Sequence, residues 1–460
     1  SSARRSTPQA GRTDGRGPPP SSRLQEGLRR RGVDSGTMKL QAVKGTQDIL
    51  PERQPAWRAV VSAAERVLGG AGAGKISTPV FEASEVFEKS VGDSADLVVQ
   101  KEMYTFEDRG GRRLTLRPEF TAGVMRAFIE HGMHTLPHPV KLWSEGPLFR
   151  AENPQRGRFR QFHQVNYEAV GNDSPLADAE AIELLYRTLA ECGLTRHRVK
   201  LGSVGDPSDR LAYNAYLRRE LEGVADRLSP VSRERLRLNP LRVLDSKDER
   251  DQAVIAHLDR PLDRLAGPAR EHLERVAGYL GDWEVPFDLD PAIVRGLDYY
   301  RRTAFEVHYH GIGAQSALGG GGRYDGLIEL LGGPPLPATG WAVGIERVLD
   351  ALEQEATTPT PAARPDLFVV PLDDAAVAEA ADVATRLRRA GLRVEFAYQR
   401  RNPGKGLKEA DRSGARHAAL RGADERGRGA WQLKDLTTGQ QAEVTTEGLR
   451  DALGAAAAPR

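Results

Sequence analysis

The chain has 460 residues, 39% hydrophobic and 28% charged, which suits two or three packed domains and excludes a disordered chain. Its one cysteine, Cys192, excludes an intrachain disulfide framework and a cysteine-rich zinc site, and no apolar stretch reaches the roughly 18 residues that would span a membrane, so a cytoplasmic protein is expected. With 66 basic and 64 acidic residues the net charge is +2, so any nucleic-acid binding must rest on local patches.

Residues 1–37 hold eight Arg, six Gly, four Pro and three acidic residues, with no apolar periodicity to offset the entropy of ordering, and are expected to form a disordered extension. They lack the apolar stretch of a secretory signal; an Arg- and Ser-rich transit peptide is the functional alternative. The segment 38–353 reads as mixed α/β. Trp57, Val60, Val61, Ala64 and Leu68 give 55–68 a helical stripe. A short strand over 114–117 precedes Pro118 and a helix over 119–130. Strands are expected at 140–149 and 159–171, a helix at 177–192, a strand at 303–309 and a helix at 339–353. Between about 205 and 287, charged helical stretches punctuated by Pro207, Pro230 and Pro240 suggest a helical insertion. Residues 354–365, with Pro359, Pro361 and Pro365, form a linker. The remainder, 366–460, alternates: strand 367–371, helix 374–390, strand 392–397, helix 404–413, strands 416–421 and 431–435. This is expected to be a small α/β domain with a largely parallel sheet.

Three local signals are set aside. Gly69 to Lys75 nearly spells a P-loop, but Ile76 stands where a Ser or Thr must follow the Lys, and a helix rather than a strand precedes it. His131, His134 and His138 have no carboxylate or thiol at metal-ligand spacing and read as surface or helix-terminal groups. Cys192 reads as a small core residue.

The chemistry gathers at 145–171, EGPLFRAENPQRGRFRQFHQVNYEAVG. Strand alternation puts Phe162, Gln164, Asn166 and Glu168 on one face, a polar row that suits a pocket wall; the alternative is a solvated outer face. Arg150 ends the preceding strand, and Arg156, Arg158 and Arg160 in the connecting loop suit a polyphosphate. Arg295 opens RGLDYY at 295–300, a glycine-rich run at 319–326 permits close backbone approach to a ligand, and Arg347 sits near a helix start, where an anion would explain it.

These motifs resemble those of the histidyl-tRNA synthetases, a class II aminoacyl-tRNA synthetase family, over about 39–455. KISTPVFEASEVF (75–87), FRAENPQRGRFRQFHQ (149–164) and GWAVGIERVL (340–349) are similar to the three class II motifs. RGLDYY, LGGGGRYDGL (318–327) and KGTQDILP (44–51) resemble signatures of the histidine enzyme. The resemblance implies an α/β protein: a catalytic domain over 38–353 built on a mainly antiparallel sheet, an insertion near 205–287, and a C-terminal anticodon-binding domain over 366–460. It implies ATP and Mg²⁺, L-histidine, the acceptor end and anticodon of histidine tRNA, and a homodimer built through 75–87. Arg150 would hold the α-phosphate and the region of the histidine carboxylate, Arg295 would be the catalytic cation beside it, and Glu152 and Phe162 would seat the adenine. Arg347 and Arg158 would hold the outer phosphates. Glu119, Thr121 and Gln164 would bind the α-amino group, and Glu168 and Tyr300, with Tyr324 nearby, the imidazole.

In the C-terminal segment, Arg386 to Arg421 holds eleven Lys or Arg against three acidic residues, with Tyr398 among them. That combination suits single-stranded RNA; the alternative is an ordinary solvated face on an Arg-rich chain. A second functional class is the catalytically silent relative that serves as a histidine-sensing regulatory subunit in histidine biosynthesis. The resemblance implies that such a subunit lacks the anticodon domain and degrades the arginines; here Arg150, Arg295 and Arg347 all stand.

Overall fold

The computed structural model describes residues 40–91, 102–154, 157–244, 246–291, 293, 300–309, 317–357 and 364–454. The 1–37 extension, Arg156, Arg295 and most of the RGLDYY motif lie outside these residues.

In chain order the strands are β1 Gly74–Lys75, β2 Phe81–Ala83, β3 Thr105–Glu107, β4 Arg113–Leu116, β5 Val140–Phe149, β6 Gln161–Val170, β7 His197–Ser203 and β8 Phe287–Leu289. They continue with β9 Arg301–Tyr309, β10 Ala317–Arg323, β11 Ala338–Gly344, β12 Leu367–Pro371, β13 Val394–Phe396, β14 His417–Arg421, β15 Ala430–Asp435 and β16 Gln441–Thr445. The helices are α1 Gln54–Gly70, α2 Ser84–Val91, α3 Thr121–Glu130, α4 Pro175–Glu191, α5 Pro207–Glu222, α6 Pro230–Leu238 and α7 Glu249–Ile255. Then follow α8 Gly267–Asp282, α9 Leu327–Leu330, α10 Ile345–Glu355, α11 Asp374–Arg389, α12 Pro403–Arg412, α13 Ala423–Gly427 and α14 Gly448–Gly454.

Eight strands form one sheet in the order β1-β5-β6-β11-β10-β9-β7-β8. The five central pairings are antiparallel; only the edge pairs β1–β5 and β7–β8 are parallel. Alternation along the strands divides the two faces. Trp143, Val165, Tyr167, Phe305, Val307, Trp341 and Val343 turn to one face and share a core with α1, α4, α8 and α10. Leu142, Leu148, Phe162 and Val170 turn to the other, where Phe120, Val124 and Phe128 at α3 cover only part of the sheet. That second face also carries the polar row of β6.

The expected 339–353 helix is a strand followed by a helix. Thr339, Trp341 and Val343 recur at period two and pair with both β6 and β10, so tertiary pairing overrides the helical reading until Ile345. The glycine-rich run 319–326 is mostly strand β10, lying between β9 and β11. The helical insertion is smaller than 205–287. Tyr213, Tyr216, Leu217, Leu221, Leu236, Val243, Val254 and Ile255 form its separate core. Helix α8 instead buries Ala269, Leu273, Val276 and Leu280 in the main core, a stripe that its charged neighbours disguised.

The C-terminal sheet runs β13-β12-β14-β15-β16. Its β12 pairs are parallel, but β14–β15 and β15–β16 are antiparallel, which corrects the largely parallel sheet expected. Strand β16 escaped the sequence reading because it is an exposed edge with no apolar alternation.

Candidate active site

Strand β6 positions the site. Its pairing with β5 sets Phe162 opposite Leu148, Gln164 opposite Gly146, Asn166 opposite Ser144 and Glu168 opposite Leu142. Glu168 and Asn166 are buried, so the row is not a solvated face. On the reverse of β6, His163 is fixed by Glu346 on α10. The carboxylate accepts from the His163 backbone N–H at 3.0 and 3.1 Å, and its Oε1 stands 3.0 Å from Nδ1. Glu346 thereby ties the wall to the helix that carries Arg347.

The inner end of the wall is acidic. Tyr324 donates from its hydroxyl to Glu168 Oε2, and Asn166 Nδ2 donates to Oε1 at 2.9 Å. Burial pushes the Glu168 carboxyl up to about 8; hydrogen bonds from Thr121 and Asn166 oppose the rise, and the nearby Glu119 charge adds to it. Burial likewise raises Glu119, which accepts the Ala122 N–H at 3.0 Å at the start of α3. Asn166 Oδ1 is buried and accepts no hydrogen bond among the described residues. A ligand N–H would satisfy it, and leaving such an acceptor unmet costs about 1–3 kcal/mol. Gly340 faces Glu168 across β11; a Cβ there would stand on the carboxylate, so only glycine admits the buried Glu168 side chain.

The mouth is cationic. Arg150 donates from Nε to Pro118 O at 3.0 Å and places its guanidinium 5.2 Å from the Phe162 ring centroid. Arg158 pairs with Glu152 at 3.3 Å. Arg347, in the first turn of α10, donates to Ala317 O at 2.6 Å and Gly157 O at 3.3 Å. Burial and the like charges of Arg158 and Arg150 hold the Arg347 guanidinium below its usual range. Two guanidiniums thus act on a third, a setting that suits an anion. Arg160 does not share this disposition: it donates to Lys44 O and Glu152 O, both at 3.3 Å, and serves the loop.

The structure therefore brings together Arg150, Glu152, Arg158, Phe162 and Arg347 at one end and Glu119, Thr121, Glu168 and Tyr324 at the other, with Gln164 between. Tyr300 lies against Gly322, where a Cβ would come within 3.1 Å of its ring. Arg295 lies outside the described residues. Sequence reading missed Glu346 and Arg117. Buried Arg117 donates to Thr78 O at 2.8 Å and Pro147 O at 2.9 Å and stacks 4.5 Å from the Phe120 ring centroid, bracing the turn that presents Glu119. Glu346 lies inside GWAVGIERVL, next to Arg347, and Arg117 precedes Pro118 and Glu119, so adjacency was the available signal. Lys75 of the discarded P-loop lies over Trp143, 4.7 Å from its ring centroid. Cys192 is buried, and burial pushes its thiol up to about 12, as suits a core residue. No group of three His, Cys, Asp or Glu side chains able to hold a metal occurs among the described residues.

In the C-terminal unit Tyr398 is 79% exposed, and its ring centroid lies 4.6 Å from that of Phe396. Arg388 sits over the other ring at 5.5 Å. Arg386, Arg401 and Arg421 are in ion pairs of 2.8, 2.7 and 2.8 Å, so carboxylates of the unit itself offset part of the basic excess.

A family model described as histidyl-tRNA synthetase matches residues 45–348, and one described as anticodon binding domain matches 366–455. The chain is 55% identical over 412 residues to a histidine–tRNA ligase of Thermus thermophilus, covering 89% of this chain and 97% of that one. It is 50% identical over 430 residues to the histidine–tRNA ligase of Deinococcus radiodurans, covering 90% and 100%. The apo histidyl-tRNA synthetase of S. aureus superposes with a TM-score of 0.75 at 34% identity, covering 90% and 99%. With its antiparallel sheet, its arginine mouth and these relatives along both units, the chain belongs to the histidyl-tRNA synthetase family.

Proposed function

We propose that the chain activates L-histidine with ATP, forming histidyl-adenylate and pyrophosphate, and then transfers histidine to the terminal ribose of histidine tRNA. The observation that carries this is the division of the β6 face into an arginine mouth and a buried carboxylate end. In the first step the histidine carboxylate attacks the α-phosphorus, its bond to oxygen forms, and pyrophosphate leaves. The carboxylate is already the nucleophile, so the step needs charge stabilisation and alignment rather than a general base. Arg150 would stabilise the α-phosphate, with Arg295 as second cation; Arg158 and Arg347 would hold the outer phosphates; Phe162 and Glu152 would seat the adenine.

Glu119, Thr121 and Gln164 would take the α-amino group. Glu168, Tyr300 and Tyr324 would select the imidazole, because buried polar partners reject a side chain that cannot pair with them. A magnesium site made by protein side chains alone does not fit the described residues. Mg²⁺ ordinarily binds through substrate phosphates with one or two carboxylates, and would offset phosphate charge when bound. Glu152 and Glu306, both of which act electrostatically on Arg347, are the carboxylates at hand.

The domain reading follows: catalysis in 38–353, a linker over 354–365, and anticodon reading in 366–460, supported by the exposed Tyr398 beside Phe396. A homodimer is supported by Phe81 and Phe106, 52% and 44% exposed, which form an apolar pair 6.4 Å apart on the β2-β4-β3 sheet. No described helix is long and apolar enough to cross a membrane, in keeping with the cytoplasm as the place of action. The test is ATP–pyrophosphate exchange. Exchange that requires histidine supports the reading; absence of exchange with histidine and ATP present rejects it in favour of the silent regulatory class.

A further inference from the structure

Behind the pocket wall, on the helix-covered face of the sheet, lies a charged cluster that the reaction does not touch. Asp178 of α4 and Arg323 at the end of β10 are both fully buried. Arg323 meets Asp178 with two parallel contacts, Nη2 to Oδ1 at 2.7 Å and Nε to Oδ2 at 3.1 Å. His272 of α8 places Nε2 2.7 Å from Asp178 Oδ2, and Thr303 of β9 donates to the same oxygen at 2.5 Å. The other Arg323 donors reach Asn172 O at 3.0 Å, Ser174 O at 3.3 Å and Asp325 Oδ1 at 3.1 Å. Hydrogen bonds from His272 and Arg323, together with the Arg323 charge, hold the Asp178 carboxyl below its ordinary range despite burial.

Such a cluster is a poor way to gain stability, since an apolar core of equal volume commonly does as well. What it can supply is a single geometry. The β9–β10 register is broken between Gly322 and Arg323, so neighbouring residues there would otherwise have latitude. Arg323 is anchored toward α4, while the next residue, Tyr324, turns to the opposite face and donates to Glu168. Asp325, held by Arg323, accepts the Ala338 N–H at 3.2 Å and closes the turn onto β11. Arg301, which follows Tyr300, pairs with Asp206 at 3.1 Å and approaches Asp325 at 3.8 Å.

We propose that Asp178, oriented by His272 and Thr303, is a positioning residue for histidine recognition: through Arg323 it sets the place of Tyr324, and with it the Tyr324–Glu168 pair, from the far side of the sheet. This rests on the reading of Glu168 and Tyr324 as the imidazole-selecting pair. The cluster acts on how tightly histidine is held and leaves the arginine mouth unaltered.

The experiment compares full-length variants in histidine-dependent pyrophosphate exchange, with histidine and ATP titrated separately and the folded state checked by thermal unfolding. Asp178→Asn strands a buried guanidinium and puts folding itself at risk, so His272→Gln and Thr303→Val carry the test. Both should raise the KM for histidine about tenfold while that for ATP moves less than about twofold, as expected of a recognition group displaced by a fraction of an ångström. Thr303→Ser, which restores the hydroxyl, should return the KM for histidine to within about twofold of the parent. Equal rises in both KM values, or lower melting temperature with an unchanged KM for histidine, would overturn the proposal. Tyr324→Phe separates the two readings: if it raises the KM for histidine and the cluster variants do not, only the positioning role falls. If Tyr324→Phe itself leaves that KM unchanged, the imidazole-wall reading falls, and the positioning role with it.

Discussion

Strand β6 serves two regions with opposite electrostatics. At its start, Arg150 stacks on Phe162 and shares a cleft with Arg158 and Arg347, cations held by backbone carbonyls and one exposed ion pair. Toward its end, Glu168 is buried beside Glu119, its carboxyl raised to about 8, with the neutral donors Thr121, Asn166 and Tyr324 around it. The contrast separates two kinds of binding. The mouth gathers three guanidiniums, Arg158 among them paired with Glu152, and suits an anion brought from outside, whereas the inner end keeps a carboxyl largely protonated at neutral pH, able to donate and accept in a fixed geometry. We propose that the first meets charge that develops during reaction and that the second selects by hydrogen bonding before it.

Substitutions at the two ends should therefore fail in different ways. Arg150→Ala is expected to lower the kcat of pyrophosphate exchange about 100- to 1,000-fold, the loss typical of a preorganised group facing developing negative charge. A change confined to KM would merge the two regions. Glu168→Ala should raise the KM for histidine about 10- to 100-fold, the cost of leaving a buried imidazole N–H without its partner, and leave the KM for ATP near its parent value. Equal shifts in both would make Glu168 a scaffold residue.

A third substitution lies outside the catalytic sheet. Tyr398→Ala should weaken tRNA in the aminoacylation assay by about tenfold, within the range of one lost base-stacking contact, with exchange unchanged. Loss of exchange would mean that the C-terminal unit acts on the catalytic sheet directly.

The smallest effect concerns stability. Glu168 has a folded-state pKa of about 8, above its unfolded value, so the folded protein binds more protons between about 4.5 and 8. Stability should fall as pH rises through that interval and flatten above it. Glu168→Gln removes the titration, and its melting temperature should depend less on pH there than the parent's; Glu119, raised in the same direction, preserves part of the slope. Parallel profiles for parent and variant would show that Glu168 does not carry the shift.

Much of this contrast was legible in the sequence because β6 alternates strictly, and Phe162, Gln164, Asn166 and Glu168 had to share a face. Arg150 and Arg347 stood out as cations at element ends. Less legible was anything that depended on which elements meet. TGWAVG reads helically until β6 and β10 are seen to flank it. Helix α8 looked like part of the insertion until its stripe was found on α4, and with it went His272, whose partner Asp178 lies far away in sequence. Arg323 lay unmarked within the glycine-rich run, because its partner Asp178 is far away in sequence and strand alternation turns it to the face opposite Tyr324.

The most direct test of the two-region account uses L-histidinol, the alcohol that keeps the imidazole and amine of histidine but lacks the carboxylate. Calorimetric titration would measure histidine and histidinol binding to the parent, Arg150→Ala and Glu168→Ala. The account predicts that Glu168→Ala weakens both ligands by a similar factor, while Arg150→Ala weakens histidine and leaves histidinol close to the parent. Equal weakening of both ligands by Arg150→Ala, or histidinol binding indifferent to Glu168→Ala, would contradict it.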